Sequence, residues 1–220
     1  MRPYGGAIFD LDGTLLDTLG DLADSMNYIL RKYGLAERTY REMADFLGRG
    51  SAYYLEQASG GVWRGEIFDE RLEEYKKWYE GHMEEKTAPF CGCLEMLEEL
   101  GKKGIRRAVV SNKFDSAAKE LCRKHFGKRL ECALGEGNGL RPKPAADMIL
   151  AAAETMGLTP ADCVFVGDTE VDLAAAQAAG MDCIGVDWGF RGRKRLEEAG
   201  MERIAENWAE LEQMILEGKK

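Results

Sequence analysis

Asp10 and Asp12 stand one residue apart at the end of a short apolar run, Ala7-Ile8-Phe9, and Gly13 and Thr14 follow them. In an extended segment alternate side chains share a face, so the two carboxylates leave the run on the same side. Gly13 permits a tight turn directly after them. Three more stretches carry comparable chemistry: Val110-Ser111-Asn112-Lys113, Arg141-Pro142-Lys143-Pro144 and Gly167-Asp168-Thr169-Glu170-Val171-Asp172. Together they supply carboxylates at Asp10, Asp12, Asp168 and Asp172, a hydroxyl at Ser111 and an ammonium at Lys143. That inventory suits a divalent cation and a phosphate. Carboxylate oxygens are hard ligands of the kind Mg2+ accepts, with water and substrate completing the shell. Such an ion draws charge from phosphate oxygens, so that an anionic carboxylate can approach phosphorus. Ser111 and backbone amides beyond the strand can hold the other oxygens. Lys143 neutralises both phosphate and nucleophile. Four carboxylates without a cation would repel one another.

Taken singly, each residue has an ordinary structural use. Asp10, Asp12 and Ser111 are frequent in turns and caps, Lys143 could be a solvated lysine, and Asp172 suits the first turn of a helix. The order of the stretches argues for a site: three of the four directly follow an apolar run, and Lys143 needs a loop to join them.

The elements that must position these residues can be read from periodicity. A strand is expected over residues 7–9. Helical spacing follows over 21–33, where Leu22, Met26, Ile29, Leu30 and Tyr33 recur on one face, and Gly34 ends it. Thr39-x-x-Glu42 has the form of a capping box that opens a second helix. Gly48-Arg49-Gly50 and Gly60-Gly61 interrupt the chain, and 66–83 has the one-sided pattern of a long amphipathic helix. The stretch from 16 to 86 thus reads as helical throughout, with no strand signal. Beyond Pro89 the pattern alternates. Helices are expected over 93–103, 114–126, 145–156, 171–179 and 208–216, and strands over 105–110, 132–134, 163–166 and 183–186. Alternation of this kind predicts an α/β fold, a Rossmann-like parallel sheet with helices on both faces. The first strand belongs to that sheet. The helical stretch is then an insertion, a small all-α cap domain over 17–87, and residues 1–16 and 88–220 form the core domain. Carboxyl ends of parallel strands face one crevice, where such sheets bind ligands.

Composition bounds the partners. A net charge of −9 over 220 residues argues against a nucleic-acid or anionic-membrane surface. No apolar run approaches the roughly 18 residues of a membrane span, and Arg2 leads into a strand rather than a signal peptide. A cytoplasmic protein, monomer or homodimer, is expected. The cysteines Cys91, Cys93, Cys122, Cys132, Cys163 and Cys183 are expected to be reduced, since a chain of this size does not need disulfides. Cys91-x-Cys93 lacks the further ligands that zinc requires.

The motif set resembles the haloacid dehalogenase-like hydrolase superfamily. Asp10-x-Asp12-Gly13-Thr14-Leu15 matches its first motif, Ser111 its second, Lys143 its third, and Gly167-Asp168-x-x-x-Asp172 its fourth. The resemblance implies a Mg2+-dependent phosphatase with Asp10 as the nucleophile that forms an aspartyl-phosphate. It also implies Asp12 as the acid for the leaving alkoxide and the base for water. Mg2+ would lie among Asp10, the backbone carbonyl of Asp12, and Asp168, with Asp172 reaching it through water. An acid at Asp12 favours ester hydrolysis over dehalogenation, because a departing halide needs no proton.

Within the superfamily the chain is similar to bacterial phosphoglycolate phosphatases in Asp17-Thr18, Asp21-Leu22-Ala23, Ser111-Asn112-Lys113, Gly135-Glu136 and Trp188-Gly189-Phe190-Arg191. A small phosphorylated metabolite such as 2-phosphoglycolate is the expected partner. Gly13, Thr14, Asn112 and Lys113 are the expected phosphate and substrate contacts, together with Gly48, Arg49 and Gly50 in the inserted segment. Arg49 stands where relatives often carry Asn, and it could grip a carboxylate bidentately. Three other activities compete: a phosphomutase of the same fold, a pyrophosphatase, and a phosphate-binding module without turnover. The absence of His from 18–22 disfavours the mutase, the absence of Lys there disfavours a phosphonate hydrolase of the same fold, and the paired nucleophile and acid disfavour the binding module.

Overall fold

The computed structural model describes residues 2–218. Strand β1 (Gly6–Phe9) is buried along its whole length because strands flank it on both sides. Its neighbours are β4 (Arg106–Phe114) and β6 (Cys163–Gly167), both parallel to it. With β5 (Cys132–Glu136), β7 (Asp182–Val186) and β8 (Ile204–Ala205), the described strands form a six-stranded sheet in the order β5-β4-β1-β6-β7-β8. All its pairings are parallel. Central strands of this kind are apolar on both faces, which explains the uninterrupted runs in the sequence.

Alternate residues of each strand serve opposite helix layers. Ala7, Phe9, Val109, Val164 and Val166 join one apolar cluster with Leu97 and Leu100 of α5 (Cys93–Lys102), Leu121 of α6 (Asp115–His125) and Leu211 and Ile215 of α10 (Trp208–Glu217). Ile8, Ala108, Val110 and Phe165 join the other, with Met148 and Ile149 of α7 (Asp147–Thr155) and Ala175 and Ala176 of α8 (Glu170–Ala178). The first cluster continues into the helical segment, through Met26, Tyr54, Tyr75 and Tyr79.

That segment comprises α1 (Leu19–Lys32), α2 (Tyr40–Phe46), α3 (Ser51–Ser59) and α4 (Gly65–His82). Thr39 and Glu42 form the expected capping box of α2. One expectation fails here. Leu16 and Asp17 are not helical: they form β2 (Leu16–Asp17), antiparallel to β3 (Ala88–Pro89), so a two-stranded ribbon carries the chain out of the sheet domain and back. The Asp21 carboxylate holds the same junction by accepting from the backbone N–H groups of Lys86 and Thr87 at 2.8–3.0 Å. Two-residue strands leave no periodicity to read. The same applies to β8, while α9 (Gly192–Glu198) buries only Leu196 and shows little amphipathic pattern. The cysteines are free thiols. Among the described residues no helix is long and apolar enough to cross a membrane.

Candidate active site

β1 and β6 deliver their carboxylates side by side. The Asp10 N–H donates to Val166 O at 2.8 Å, extending the ladder one residue past β1. Asp168 follows directly on β6. Its Oδ1 accepts from the Thr14 hydroxyl at 3.0 Å and its Oδ2 from the Phe190 N–H at 2.9 Å. Both turns that reach Asp168 require glycine. Gly13 has φ +84°, and a Cβ there would stand 2.5 Å from Asp168 Oδ2. A Cβ at Gly189 would stand 2.1 Å from the Asp168 Cβ. Asp172 comes from the first turn of α8, where it forms a capping box with Thr169: its Oδ2 accepts from the Thr169 hydroxyl at 2.7 Å and the Thr169 N–H at 3.0 Å.

Lys143 completes the cluster. Its Nζ lies 2.9 Å from Asp10 Oδ1 and 2.7 Å from Asp172 Oδ1, and its side chain is 1% exposed. Carboxylate oxygens of Asp10, Asp168 and Asp172 all lie within 4.8 Å of one another. Burial pushes the Asp10 carboxyl up against the pull of Lys143, and Asp172 and Asp12 add to the rise. Burial, then the charges of Asp172 and Asp10, push Asp168 up to about 8. Burial would depress the Lys143 ammonium, but Asp10 and Asp172 together hold it above the ordinary lysine range.

Asp12 leaves the chain on the cavity side of this cluster. Its Oδ1 is 2.8 Å from Lys113 Nζ, which also lies 4.5 Å from the centre of the Tyr79 ring. Ser111, Asn112 and Lys113 fall within β4 itself, which runs four residues past its expected end at Val110, with a register irregularity between Val110 and Phe114. The Ser111 hydroxyl accepts from the Lys113 N–H at 3.2 Å. A cavity opens here between the sheet and the helical segment. It is lined by Asp10, Asp12, Ser111, Asn112, Lys113 and Phe114 from below and by Leu22, Leu47, Gly48, Gly50, Ser51, Tyr54 and Tyr75 from above. Its volume of about 40 Å³ has room for about three waters. Such a space is far smaller than a nucleotide.

The expected site residues divide into three groups. Asp10, Asp12, Ser111, Asn112, Lys113, Gly48 and Gly50 line the cavity; Lys143, Asp168 and Asp172 lie behind Asp10; Gly13 and Thr14 surround Asp168 instead of the cavity. Arg49 goes elsewhere. It pairs with Glu170 at 3.7 Å and lies over the Tyr53 ring at 5.3 Å, so Gly48 and Gly50 reach the cavity and Arg49 does not. Asn112 is occupied as a brace: its amide donates to Gly48 O and Lys143 O and accepts from the Lys143 N–H. Residues that sequence reasoning left without a role include Thr169, Phe190 and the lining tyrosines. Thr169-x-x-Asp172 has a capping-box spacing that could have shown the first. Tyr75 reads as part of the apolar face of the helix over 66–83, Tyr54 lies in a stretch with no assigned element, and a backbone N–H such as that of Phe190 has no sequence signal.

The haloacid dehalogenase-like hydrolase model matches residues 7–186. The phosphoglycolate phosphatase of Agrobacterium fabrum is 33% identical over 189 residues, covering 84% of this chain and 81% of that protein. That of Xanthomonas campestris pv. campestris is 32% identical over 193 residues, covering 87% and 86%. Among solved structures, a candidate phosphoglycolate phosphatase from Lactobacillus delbrueckii subsp. bulgaricus superposes with a TM-score of 0.89 at 33% identity, covering 98% of this chain and 99% of that one. Three buried carboxylates, two of them paired with one lysine, a fourth carboxylate at the cavity and these likenesses agree: the chain belongs to the haloacid dehalogenase-like hydrolases and is a phosphatase of that family.

Proposed function

We propose that the chain is a Mg2+-dependent phosphomonoesterase acting through an aspartyl-phosphate on a small ester, with 2-phosphoglycolate the first choice. The observation that carries the reading is the division of labour between Asp10 and Asp12. Asp10 sits in the carboxylate cluster against Lys143, whereas Asp12 sits apart from it, beside Lys113 at the cavity. A nucleophile and a proton-transferring acid need this difference in surroundings. The names of the relatives support the substrate.

The donor set fits Mg2+. Asp10, Asp12, Asp168 and Asp172 against Lys113 and Lys143 leave a formal charge of −2 (four carboxylates less two ammoniums), and every carboxylate offers hard oxygen. Asp10, Asp168 and Asp172 would hold the ion. Bound there, it would withdraw charge from the phosphate oxygens.

The chain's own groups do the rest. The Leu11 N–H at 2.7 Å and Lys143 Nζ at 2.9 Å both engage Oδ1 of Asp10, which orients the carboxylate without using Oδ2. Asp10 attacks phosphorus, the P–O bond to the alcohol breaks, and the departing alkoxide takes a proton from Asp12. Asp12 then takes a proton from water, which attacks the acyl phosphate and frees inorganic phosphate and Asp10. Ser111 and Lys113 border the phosphate position. Residues 17–87 serve as the cap that closes over the ester and excludes bulk water, and 1–16 with 88–220 form the catalytic core.

The test is phosphate release from a panel of small esters with Mg2+ and with chelator. Release is expected only with metal and fastest from a short carboxylate-bearing ester. Failure of every ester would overturn the reading. A second result checks the metal site apart from turnover. Gly189→Ala pushes on Asp168, and Mg2+ affinity by calorimetry is expected to fall about 10–100-fold, as when a ligand's support is lost. Unchanged affinity would remove Asp168 from the site.

A further inference from the structure

The loop that joins α2 to α3 carries Leu47, Gly48, Gly50 and Ser51 into the cavity. Its backbone is held from the sheet domain as well as from the helical segment. The last carbonyls of a helix lack intrahelical partners and must find donors elsewhere. Besides the Leu47 N–H, which donates to Ala44 O, the donors here come from the sheet domain. Arg191 donates to Ala44 O, and to Leu47 O at 2.6 Å, and the Asn112 amide donates to Gly48 O at 3.0 Å. The Arg191 side chain is 2% exposed, and its Nε lies 3.3 Å from Glu170. At the other end of the loop the polarity is reversed. Gly50, the N-cap of α3, has no side chain to offer, and the Glu136 carboxylate at the end of β5 stands against it instead, its Oε2 2.6 Å from where a Cβ on Gly50 would lie. A cation at a helix C-terminus and an anion at a helix N-terminus are each the favourable sign.

The residue before Arg191 is Phe190, whose N–H holds Asp168. Glu170, which pairs with Arg191, is two residues beyond Asp168. Asn112 also brackets Lys143 through its N–H and C=O. The residues that hold the loop are thus bound to the supports of the carboxylate cluster.

We infer that Arg191, Asn112 and Glu136 form a clamp that seats the 47–51 loop on the core, with Arg191 as the positioning residue that sets how tightly a small ester is enclosed. The inference rests on the phosphatase reading for its kinetic part only. Arg191 is not itself a lining residue of the cavity, so its effect passes through Leu47, whose carbonyl it holds.

Arg191→Met removes the donors and keeps the bulk. For the preferred small ester KM is expected to rise about tenfold, with kcat changed by less than about threefold, the pattern of lost binding uniform to ground and transition states. Selectivity for that ester over a bulky aryl phosphate is expected to fall by a similar factor, because a loosened loop no longer shapes the cavity. Hydrogen exchange at residues 47–51, measured with Mg2+ and inorganic phosphate, is expected to quicken. Arg191→Lys should be intermediate, and Arg195→Ala, which breaks only the surface pair with Asp45, should match wild type. If Arg191→Met does not fold, Arg191→Lys and Glu136→Ala carry the same readouts. A fall in kcat at constant KM, or unchanged exchange at 47–51 in a folded variant, would overturn the clamp. Wild type inactive on every ester would sink the phosphatase reading, while the exchange experiment would still decide the clamp.

Discussion

Asp10→Asn is expected to lower phosphate release by about 10⁴-fold or more, the scale on which loss of a covalent nucleophile is felt. The substitution preserves shape and one acceptor, so the Leu11 N–H keeps its partner and Lys143 keeps Asp172. It also removes one of three mutually repelling buried carboxylates. Stability is therefore expected to stay within about 1 kcal/mol of wild type, the ordinary range for a single change without a cavity or an unpaired charge. The measurement pairs phosphate release with thermal unfolding of the same sample. A folded Asp10→Asn retaining more than about a hundredth of the rate would show that another group attacks phosphorus.

Lys143→Met should act mainly on stability. The ammonium is the cation between Asp10 and Asp172, and all three side chains are at most 5% exposed. Removing one member of a buried ion cluster leaves uncompensated charge and costs about 3–5 kcal/mol, or roughly 10 °C in Tm for a chain of this length. The pH dependence has a definite sign. Burial raises Asp10 and Asp168 above their unfolded values, so the native state holds more protons than the unfolded chain from about pH 4 up to their raised values, about 8 for Asp168. In metal-free protein these two groups lower stability as pH climbs through that window. Without Lys143 the fall is steeper. The deficit of Lys143→Met relative to wild type is thus expected to be small at pH 5 and large at pH 8, and saturating Mg2+ should recover part of it by supplying the missing positive charge. Equal deficits at both pH values would mean that the lysine is not compensating carboxylates.

How much of this was legible in the residues follows from what leaves a local trace. Asp10, Asp168 and Asp172 were readable because each adjoins a buried strand or a helix start, and an apolar run ending in an acid is a signal within a few residues. Arg49 was a reasonable candidate by its place between two glycines, but its side chain goes to Glu170, more than a hundred residues away. Asn112 was expected at the substrate and lines the cavity, yet its three hydrogen bonds are spent on Gly48 and Lys143. Arg191 lay in a quoted stretch without a role because the carbonyls it serves belong to another part of the chain. The β2–β3 ribbon is two residues deep, shorter than any period. Local chemistry was visible; partners chosen by tertiary folding were not.

That ribbon bears on how the chain can assemble and change. β1 must find β4, a pairing between residues about a hundred apart in sequence. Long-range pairing is slow because loop closure comes first. Leu16 opposite Pro89 and Asp17 opposite Ala88 bring the two ends of the inserted helices to adjacent strand positions. Once those helices have packed, the separation that β1 experiences is that of a short connection. The chain enters and leaves the insertion through one ribbon, and loop-closure entropy grows only as the logarithm of length, about 0.6 kcal/mol per doubling. Segments of quite different length can therefore be exchanged between residues 17 and 88 while the six-stranded sheet stays as it is.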